Sequence, residues 1–172
     1  MNETITLGTA YYPEHWPREN WLPDIRKIRE AGMTTLRLAE LAWSTMEPEE
    51  GRFELDWLEE FIALAYREGL HVILGTPSEA SPVWLRDRHP EVLSVDRYGH
   101  RTGGRGHHCH TSPVYRRYIS RMTEEMARRF AGNPAVIGWQ IDNELRGVEC
   151  YCSQCRAAYQ DWLKRRYGTL SE

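Results

Sequence analysis

Three consecutive polar residues, Asp142, Asn143 and Glu144, follow an apolar and aromatic run over residues 136–141. The breaker Gly132-Asn133-Pro134 precedes this run, so the pattern predicts a buried strand that ends where the polar residues begin. A carboxylate at the carboxyl end of a strand in an α/β sheet is well positioned for proton transfer. The simpler alternative is a polar strand end that only caps the next helix.

Four cysteines form a second group of residues that could carry chemistry. Cys150, Cys152 and Cys155 lie within six residues, and three thiols so close can converge on one tetrahedral metal ion. Cys109 is the candidate fourth ligand, with three substitutes: His107, His108 and His110. A site closed by four protein ligands would be structural. Free thiols or an adventitious disulfide are the alternative, although the spacing is unlike the disulfide framework of a secreted domain.

Four strand patterns alternate with four helical patterns along the chain. The strands are predicted at residues 5–12, 34–39, 71–74 and 136–141, and the helices at about 20–31, 56–68, 112–130 and 154–167. The connections are long enough for parallel crossovers, so this order predicts four βα units, half of a TIM (β/α)₈ barrel. A doubly wound sheet competes with it, but no Gly-x-Gly-x-x-Gly follows the first strand.

Local signals set the helix starts in this prediction. Asn20 is the expected N-cap of the first helix, Asp56 and Glu59 form a capping-box-like start for the second, and Ser112 opens the third.

The irregular stretch 78–111 is far longer than an ordinary connection, which indicates a functional loop. Of the chain's tryptophans, three are candidates for a sugar-binding wall or, more simply, for the core: Trp43, Trp84 and Trp139.

Charged residues fall at the predicted strand ends, where a barrel builds its active site. Glu40 is interpreted as an ion-pair partner of Arg37, and Glu79 as a solvated loop charge. Glycoside cleavage commonly needs two carboxyl groups, one to protonate the leaving oxygen and one to attack or to activate water. Glu144 fits the first role, and the neighbouring Asn143 amide can hold a sugar hydroxyl.

The composition excludes several classes of partner. The 172 residues have a net charge of -3 and no sustained basic face, which argues against nucleic-acid binding. The amino terminus lacks a basic segment followed by a long apolar one, so neither a signal peptide nor a membrane span is expected. A cytoplasmic location is the resulting prediction.

The run Gly138-Trp139-Gln140-Ile141-Asp142-Asn143-Glu144 resembles the acid/base motif of the bacterial β-galactosidases in family forty-two of the glycoside hydrolases. Four other segments are similar to the same family: Tyr11-Tyr12-Pro13-Glu14-His15-Trp16, Leu36-Arg37-Leu38-Ala39-Glu40, Gly75-Thr76-Pro77 and Arg105-Gly106-His107-His108-Cys109. The resemblance covers essentially the whole chain.

The resemblance implies roles for individual residues. Glu144 would be the proton donor of a retaining hydrolase that cleaves terminal β-D-galactosyl residues, and Asn143 and Arg105 would bind the galactose. It also implies a structural zinc ion held by all four cysteines: Cys109, Cys150, Cys152 and Cys155.

The chain departs from the family pattern at several positions. Gly106 and His108 replace an arginine and a tyrosine, His110 stands where proline is usual, Glu79 lies in a usually neutral loop, and Leu145 follows the acid in place of tyrosine. These departures bear on the leaving-group preference.

The larger departure is length, because family members continue through four more βα units and further domains. The second catalytic glutamate of the family belongs to the seventh strand. Residues 1–172 therefore resemble the truncated amino-terminal half of the catalytic barrel, and we expect this fragment to be inactive alone. Glu40 or Glu79 as the nucleophile is the less favoured alternative. The full-length parent is expected to be a homo-oligomer.

Two other functions stay open at this point. Another retaining glycosidase on the same barrel, such as a mannanase or a cellulase, would also carry an Asn-Glu pair. A zinc-stabilised binding module without catalysis is the second alternative, with nucleic acid as the partner of a cysteine knuckle. The absence of a basic stripe with interleaved aromatic residues speaks against that module.

Overall fold

The computed structural model describes residues 6–144 and 149–169. Four strands form one parallel sheet: β1 (Gly8–Ala10), β2 (Thr35–Leu38), β3 (His71–Gly75) and β4 (Val136–Gln140). Their spatial order, β1-β2-β3-β4, follows the sequence without the reversal that defines a doubly wound sheet. The predicted half of a TIM barrel is confirmed. The first residue of the predicted strand 5–12 and Leu145 lie outside the described residues.

Six helices occur in the described part of the chain: α1 (Arg18–Glu30), α2 (Trp43–Met46), α3 (Asp56–Arg67), α4 (Val83–Arg88), α5 (Pro113–Phe130) and α6 (Ser153–Tyr167). Short 3-10 turns lie at Pro13–His15 and Pro90–Val92. The four long helices match the four predicted ones. None of the described helices is both long and apolar enough to pass through a membrane.

Two of the predicted N-terminal caps are wrong. α1 begins at Arg18 with Pro17 as its N-cap, because the fixed φ of proline prepares the helix entry, and Asn20 lies inside the first turn. α3 begins at Asp56 itself, after Leu55, and no side chain caps it. The two acids of the expected capping box pair instead with Arg129 on α5, at 2.6 Å from Asp56 and 2.9 Å from Glu59.

The start of α5 agrees with the sequence. The Ser112 hydroxyl oxygen accepts a hydrogen bond from the backbone N–H of Tyr115 at 3.3 Å, and Pro113 occupies the first helical position. The buried face of α5 repeats every fourth residue: Tyr118, Met122, Met126 and Phe130.

Alternation along the inner strands divides the sheet into two faces. On β2, Leu36 and Leu38 are fully buried in the core under the helices, while Arg37 between them faces the opposite side. Arg37 pairs in register with Ile73 of β3, and Ile73 pairs with Gly138 of β4. This second face, which would line the barrel interior, carries the polar site described below.

The expected burial of β4 is only partly correct. Ile137 is 54% exposed and Ile141, just past the strand end, is 72% exposed, and Trp139 between them is also solvent-accessible. β4 is an edge strand, as β1 is at the other side, so no described element covers its outward apolar face. On α6 three further aromatic rings are exposed: Tyr159, Trp162 and Tyr167.

Candidate active site

Strand β2 and the loops at the carboxyl ends of β3 and β4 bring five polar side chains together. We call this group the strand-end cluster: Arg37, Glu79, Arg105, Asn143 and Glu144. Three of its members, Arg105, Asn143 and Glu144, are the residues predicted from the sequence.

Glu144 forms an ion pair with Arg105. The Arg105 Nη2 atom lies 2.9 Å from Glu144 Oε2, although the two residues are separated by 39 positions in the chain. The Glu144 side chain is 63% exposed, because the described strands build only one side of the site. Its carboxylate is therefore held at the rim of the sheet and is accessible to a ligand.

Asn143 is buried and its amide has a defined orientation. Its Oδ1 atom accepts hydrogen bonds from Arg37 Nη1 at 3.2 Å and from Gln140 Nε2 at 3.0 Å. Because two donors face the oxygen, the amide nitrogen lies on the other side, where Nδ2 donates to Glu79 Oε2 at 2.9 Å. Gln140 was missed by the sequence analysis, because its role depends on a register across the sheet that the sequence does not display.

The interpretation of Glu79 as a solvated loop charge is wrong. Its side chain is only 4% exposed, and its Oε2 atom accepts hydrogen bonds from Arg105 Nε at 3.0 Å and Nη2 at 2.9 Å. A buried carboxylate is stable only when charged or polar donors compensate it. Here the guanidinium of Arg105 and the amide of Asn143 provide that compensation. The hydrogen bond that Arg105 donates to Glu79 is the main cause that raises the pKa of Arg105.

Glu40 has the role that the sequence indicated. Its fully buried carboxylate lies 2.9 Å from Arg37 Nη2. Burial, followed by a hydrogen bond with Glu40, raises the pKa of Tyr12. Arg37 on β2 thus links the buried carboxylate of Glu40, just after the same strand, to the Asn143 amide that follows β4.

The backbone of the acid-bearing segment is unusual. Asp142 and Glu144 have φ values of 60° and 48°, in the left-handed region that side-chain-bearing residues seldom adopt. Hydrogen bonds hold Asp142 there: its N–H donates to Thr76 Oγ1 at 2.7 Å, and its carboxylate accepts from Ser78 Oγ at 2.6 Å. The segment after β4 is therefore fixed by the segment after β3.

The three candidate wall tryptophans are not equivalent. Trp43 is fully buried and donates its indole N–H to Glu47 at 2.9 Å, and Trp84 donates to the Glu47 backbone oxygen at 2.8 Å. Both belong to the core around α2 and α4. Trp139 is partly exposed on the outward face of β4, away from the strand-end cluster.

The four cysteines converge as the sequence predicted. Their Sγ atoms all lie within 4.8 Å of one another, and Cys109 Sγ is 3.6 Å from Cys152 and 3.5 Å from Cys155. Ligands at about 2.3 Å around a tetrahedral ion are separated by roughly 3.8 Å, so these thiols are spaced as a zinc site requires. We call this group the cysteine cluster: Cys109, Cys150, Cys152 and Cys155.

The histidine substitutes for the fourth ligand have other contacts. His108 Nε2 lies 2.7 Å from Ser81 Oγ, and its ring stacks on Tyr115. Burial lowers the pKa of His108 to about 4, so the ring is neutral at pH 7. His107 Nδ1 contacts the Thr102 hydroxyl.

The ionisation of the cysteines is uneven. Burial opposes ionisation of Cys152, but the backbone N–H of Cys155 and the neighbouring thiols outweigh it and lower the pKa to about 7. Burial and the same neighbours raise the pKa of Cys109 above its ordinary value. A cation would remove this imbalance by favouring the thiolate form of all four.

The cysteine cluster joins two distant segments. The Val95 N–H donates to Cys150 Sγ at 3.4 Å, and the Tyr151 N–H donates to the Val95 backbone oxygen at 2.8 Å. The long loop after β3 is thereby attached to the segment that precedes α6.

Comparisons with known proteins give the family of the chain. The chain is 51% identical over 169 residues to a beta-galactosidase of Thermus thermophilus and 40% identical over 171 residues to beta-galactosidase Bga of Halorubrum lacusprofundi. These alignments cover 95% and 96% of this chain, but only 26% and 24% of the relatives. The chain therefore spans about a quarter of the length of the curated relatives that it matches.

Solved structures give the same result. The crystal structure of a beta-galactosidase from the psychrophilic Marinomonas ef1 matches with a TM-score of 0.91 and 41% identity, over 97% of this chain and 26% of that chain. The polyextremophilic beta-galactosidase from the Antarctic haloarchaeon Halorubrum lacusprofundi matches with a TM-score of 0.92 and 40% identity, over the same shares. The sequence profile of glycoside hydrolase family 42, described as beta-galactosidase, matches residues 10–172. The chain therefore belongs to this family of glycoside hydrolases.

Proposed function

We propose that this chain supplies the acid/base side of a retaining β-galactosidase, with Glu144 as the general acid and base. The observation that carries this proposal is the ion pair of Glu144 with Arg105 beside the oriented Asn143 amide, at the carboxyl ends of parallel strands. Membership of the family supports a β-galactoside as the substrate class.

The geometry suggests how the residues act. Glu144 donates its proton to the glycosidic oxygen as the bond to the sugar breaks, and later removes a proton from the attacking water. Arg105 and Asn143 hold hydroxyl groups of the galactosyl unit, and these hydrogen bonds strengthen as positive charge develops at the ring. The rigid support of Asn143 by Arg37 and Gln140 keeps the amide in one orientation for that contact.

A retaining mechanism needs a second carboxylate as nucleophile, and we place it on a strand beyond residue 172. Glu40 is fully buried against Arg37 and cannot reach a sugar at the rim. Glu79 and Glu144 share the Arg105 Nη2 atom at 2.9 Å each, so a retaining separation of roughly 5 to 5.5 Å is allowed. The guanidinium, however, fills the space between them, where the sugar would have to lie.

The domain boundary follows from the same proposal. Residues 1–172 would form the amino-terminal half of a barrel that continues in a longer protein, and alone they would not hydrolyse glycosides. The uncovered face of β4 and the open edges of the sheet support this proposal, because they are the surfaces on which further βα units would pack.

Substitution of Glu144 by Ala in the longer protein tests the assignment. The kcat for lactose should fall by roughly 10² to 10⁴ through loss of proton transfer. A dinitrophenyl β-D-galactoside, whose leaving group needs no proton, should still galactosylate the enzyme. Added azide should then release β-galactosyl azide, because its nitrogen attacks the anomeric carbon and displaces the enzyme carboxylate.

The control is Glu149→Gln, an exposed acid close in sequence, which should keep the parent kcat. Full activity of Glu144→Ala toward lactose would refute the proposal. A panel of β-mannosides, β-glucosides and β-galactosides with the longer protein separates a galactosidase from a mannanase or a cellulase.

We also propose that the cysteine cluster holds a structural zinc ion through Cys109, Cys150, Cys152 and Cys155. The convergence and spacing of the thiols support this assignment. The ion would contribute a fixed bridge between the loop after β3 and the segment before α6, and it would take no part in the reaction because four protein ligands leave no open position.

Metal content measured by atomic absorption tests the zinc site. The longer protein should contain one zinc ion per chain, and Cys152→Ser should contain almost none. Ser153→Ala, which changes the next residue without removing a thiol, should keep the full content. Unchanged zinc in Cys152→Ser would contradict the assignment.

A further inference from the structure

We propose that Glu79 is a positioning residue of the strand-end cluster. One of its carboxylate oxygens orients the Arg105 guanidinium and the Asn143 amide together, and its charge competes with Glu144 for Arg105. This inference rests on the proposed function, because it assumes that Arg105 and Asn143 bind the sugar.

The first support is the convergence of donors on one atom. Glu79 Oε2 accepts from Nε and Nη2 of Arg105 at 3.0 and 2.9 Å and from Nδ2 of Asn143 at 2.9 Å. The two partners lie 26 and 64 residues farther along the chain, so the carboxylate joins two segments that have no local connection. Its burial makes these bonds costly to break, since an uncompensated buried charge is strongly unfavourable.

The second support is the orientation of Asn143. Arg37 and Gln140 hold the amide oxygen on one side, and Glu79 holds the nitrogen on the other. The amide therefore has its rotation fixed from both ends. The nitrogen carries two hydrogens. One is donated in the hydrogen bond to Glu79, so the amide can donate the second to a sugar hydroxyl.

The third support is the distribution of charge around Arg105. Its Nη2 atom contacts an oxygen of Glu79 and an oxygen of Glu144, each at 2.9 Å. A guanidinium next to Glu144 alone would favour the carboxylate form, yet a general acid has to carry its proton before the reaction. Glu79 therefore shares with Glu144 a guanidinium that would otherwise pair with Glu144 alone.

Two substitutions separate positioning from charge in the longer protein. Glu79→Ala removes both the acceptor oxygen and the charge, and should raise KM for a β-galactoside about tenfold. It should also move the basic limb of the pH profile of kcat/KM to lower pH, because the negative charge beside Arg105 is lost. Glu79→Gln retains an acceptor oxygen without the charge. Its KM should therefore be close to that of the parent, while the basic limb should shift as in Glu79→Ala.

Glu47→Gln is the matched control, because Glu47 is also a fully buried carboxylate paired with an arginine. Its bonds run to Trp43, Gly51 and Arg121 in the core, outside the strand-end cluster. This substitution should lower the thermal midpoint without a change in KM or in the pH profile. It therefore measures what the loss of a buried carboxylate does to the fold alone.

The outcomes are distinguishable. If Glu79→Ala and Glu79→Gln behave as Glu47→Gln does, with parent KM and parent profile, the positioning role is overturned. It is also overturned if Glu79→Ala loses activity and azide restores it with α-galactosyl azide as product, because that inversion identifies a nucleophile. Failure of the proposed function would appear separately, as full activity toward lactose in Glu144→Ala.

Discussion

The strand-end cluster and the cysteine cluster are built on opposite principles. In the first, each described carboxylate faces a guanidinium or an amide, as Glu79 faces Arg105 and Asn143. In the second, four like groups face one another, and ionisation of Cys152 is favoured while that of Cys109 is opposed. The strand-end cluster compensates its own charges. The cysteine cluster consists of four thiols and contains no cationic side chain that could compensate thiolates.

This difference indicates what holds each region. The strand-end cluster depends on the spacing of β2, β3 and β4, because its members come from the ends of these strands. The cysteine cluster depends on a few backbone hydrogen bonds around Val95 and Tyr151, and we expect a bound metal to supply the rest. Each region should therefore fail under a different perturbation.

The largest effect is expected from Gly75→Ala, which should break the strand-end cluster alone. A Cβ at Gly75 would lie 2.5 Å from Glu40 Cβ and 2.9 Å from its Cα, so backbone has to move between β2 and β3. We expect a loss of about 3 kcal/mol in the free energy of unfolding with unchanged metal content. Gly138→Ala on β4 is the control, since its Cβ meets only Ile73 at 3.8 Å. If denaturant titration gave the same loss in the free energy of unfolding for Gly75→Ala and Gly138→Ala, the prediction would be wrong.

Removal of the proposed zinc ion should destabilise the cysteine cluster. A chelator such as 1,10-phenanthroline should lower the free energy of unfolding by about 2 to 3 kcal/mol where free zinc is otherwise about 100 times Kd. Amide exchange should rise near Val95 and Tyr151 while β2 and β3 stay protected. The non-chelating isomer 1,7-phenanthroline should have no effect. Uniform exchange across the sheet would show that the two regions are not separate.

Arg37→Lys tests whether the strand-end cluster depends on the geometry of the guanidinium as well as on its positive charge. Arg37 contacts Glu40 through Nη2 and both Gln140 and Asn143 through Nη1, and a single ammonium group cannot reproduce that fork. We expect a loss of about 1 to 2 kcal/mol and a higher KM in the longer protein. Arg26→Lys, in an exposed ion pair with Glu68, should change stability by less than about 0.5 kcal/mol. Parent KM in Arg37→Lys would argue that charge alone suffices.

The smallest effect concerns Glu14, a shielded carboxylate near the cluster. Burial raises its pKa above the ordinary 4.5, and the neighbouring charge of Glu40 adds to that rise. The folded state therefore binds the proton more tightly than the unfolded chain, and stability falls as pH rises above about 4.5. Glu14→Gln, which mimics the protonated form, should be stabilising at pH 7 and neutral at pH 4. Glu19→Gln, an exposed acid, should show no such trend in thermal midpoint.

Elements with a strong local signal were predictable. The order of four strands and four long helices follows from hydrophobic periodicity, and the Ser112 cap follows from residue type next to a proline. The convergence of the cysteines was also predictable, because three of them are close in sequence and one more thiol was available.

Other features depended on partners far along the chain. The capping box at Asp56 was displaced by Arg129, 73 residues away. No residue near Glu79 in the sequence indicates a partner for its carboxylate, yet Arg105 and Asn143 pair with it and bury it. The exposure of β4 depends on which elements lie beyond it. The cytoplasmic location and the oligomeric parent stay predictions.

The left-handed backbone at Asp142 and Glu144 has a consequence for engineering. Glycine would relieve the unfavourable torsion at either position, and stabilising substitutions are commonly sought in that way. Here the gain would remove the carboxylate that accepts from Ser78, or the acid itself. Any programme to raise the heat tolerance of this chain should therefore leave these two positions unchanged, because the unfavourable backbone torsions accompany the presentation of an acid at the rim.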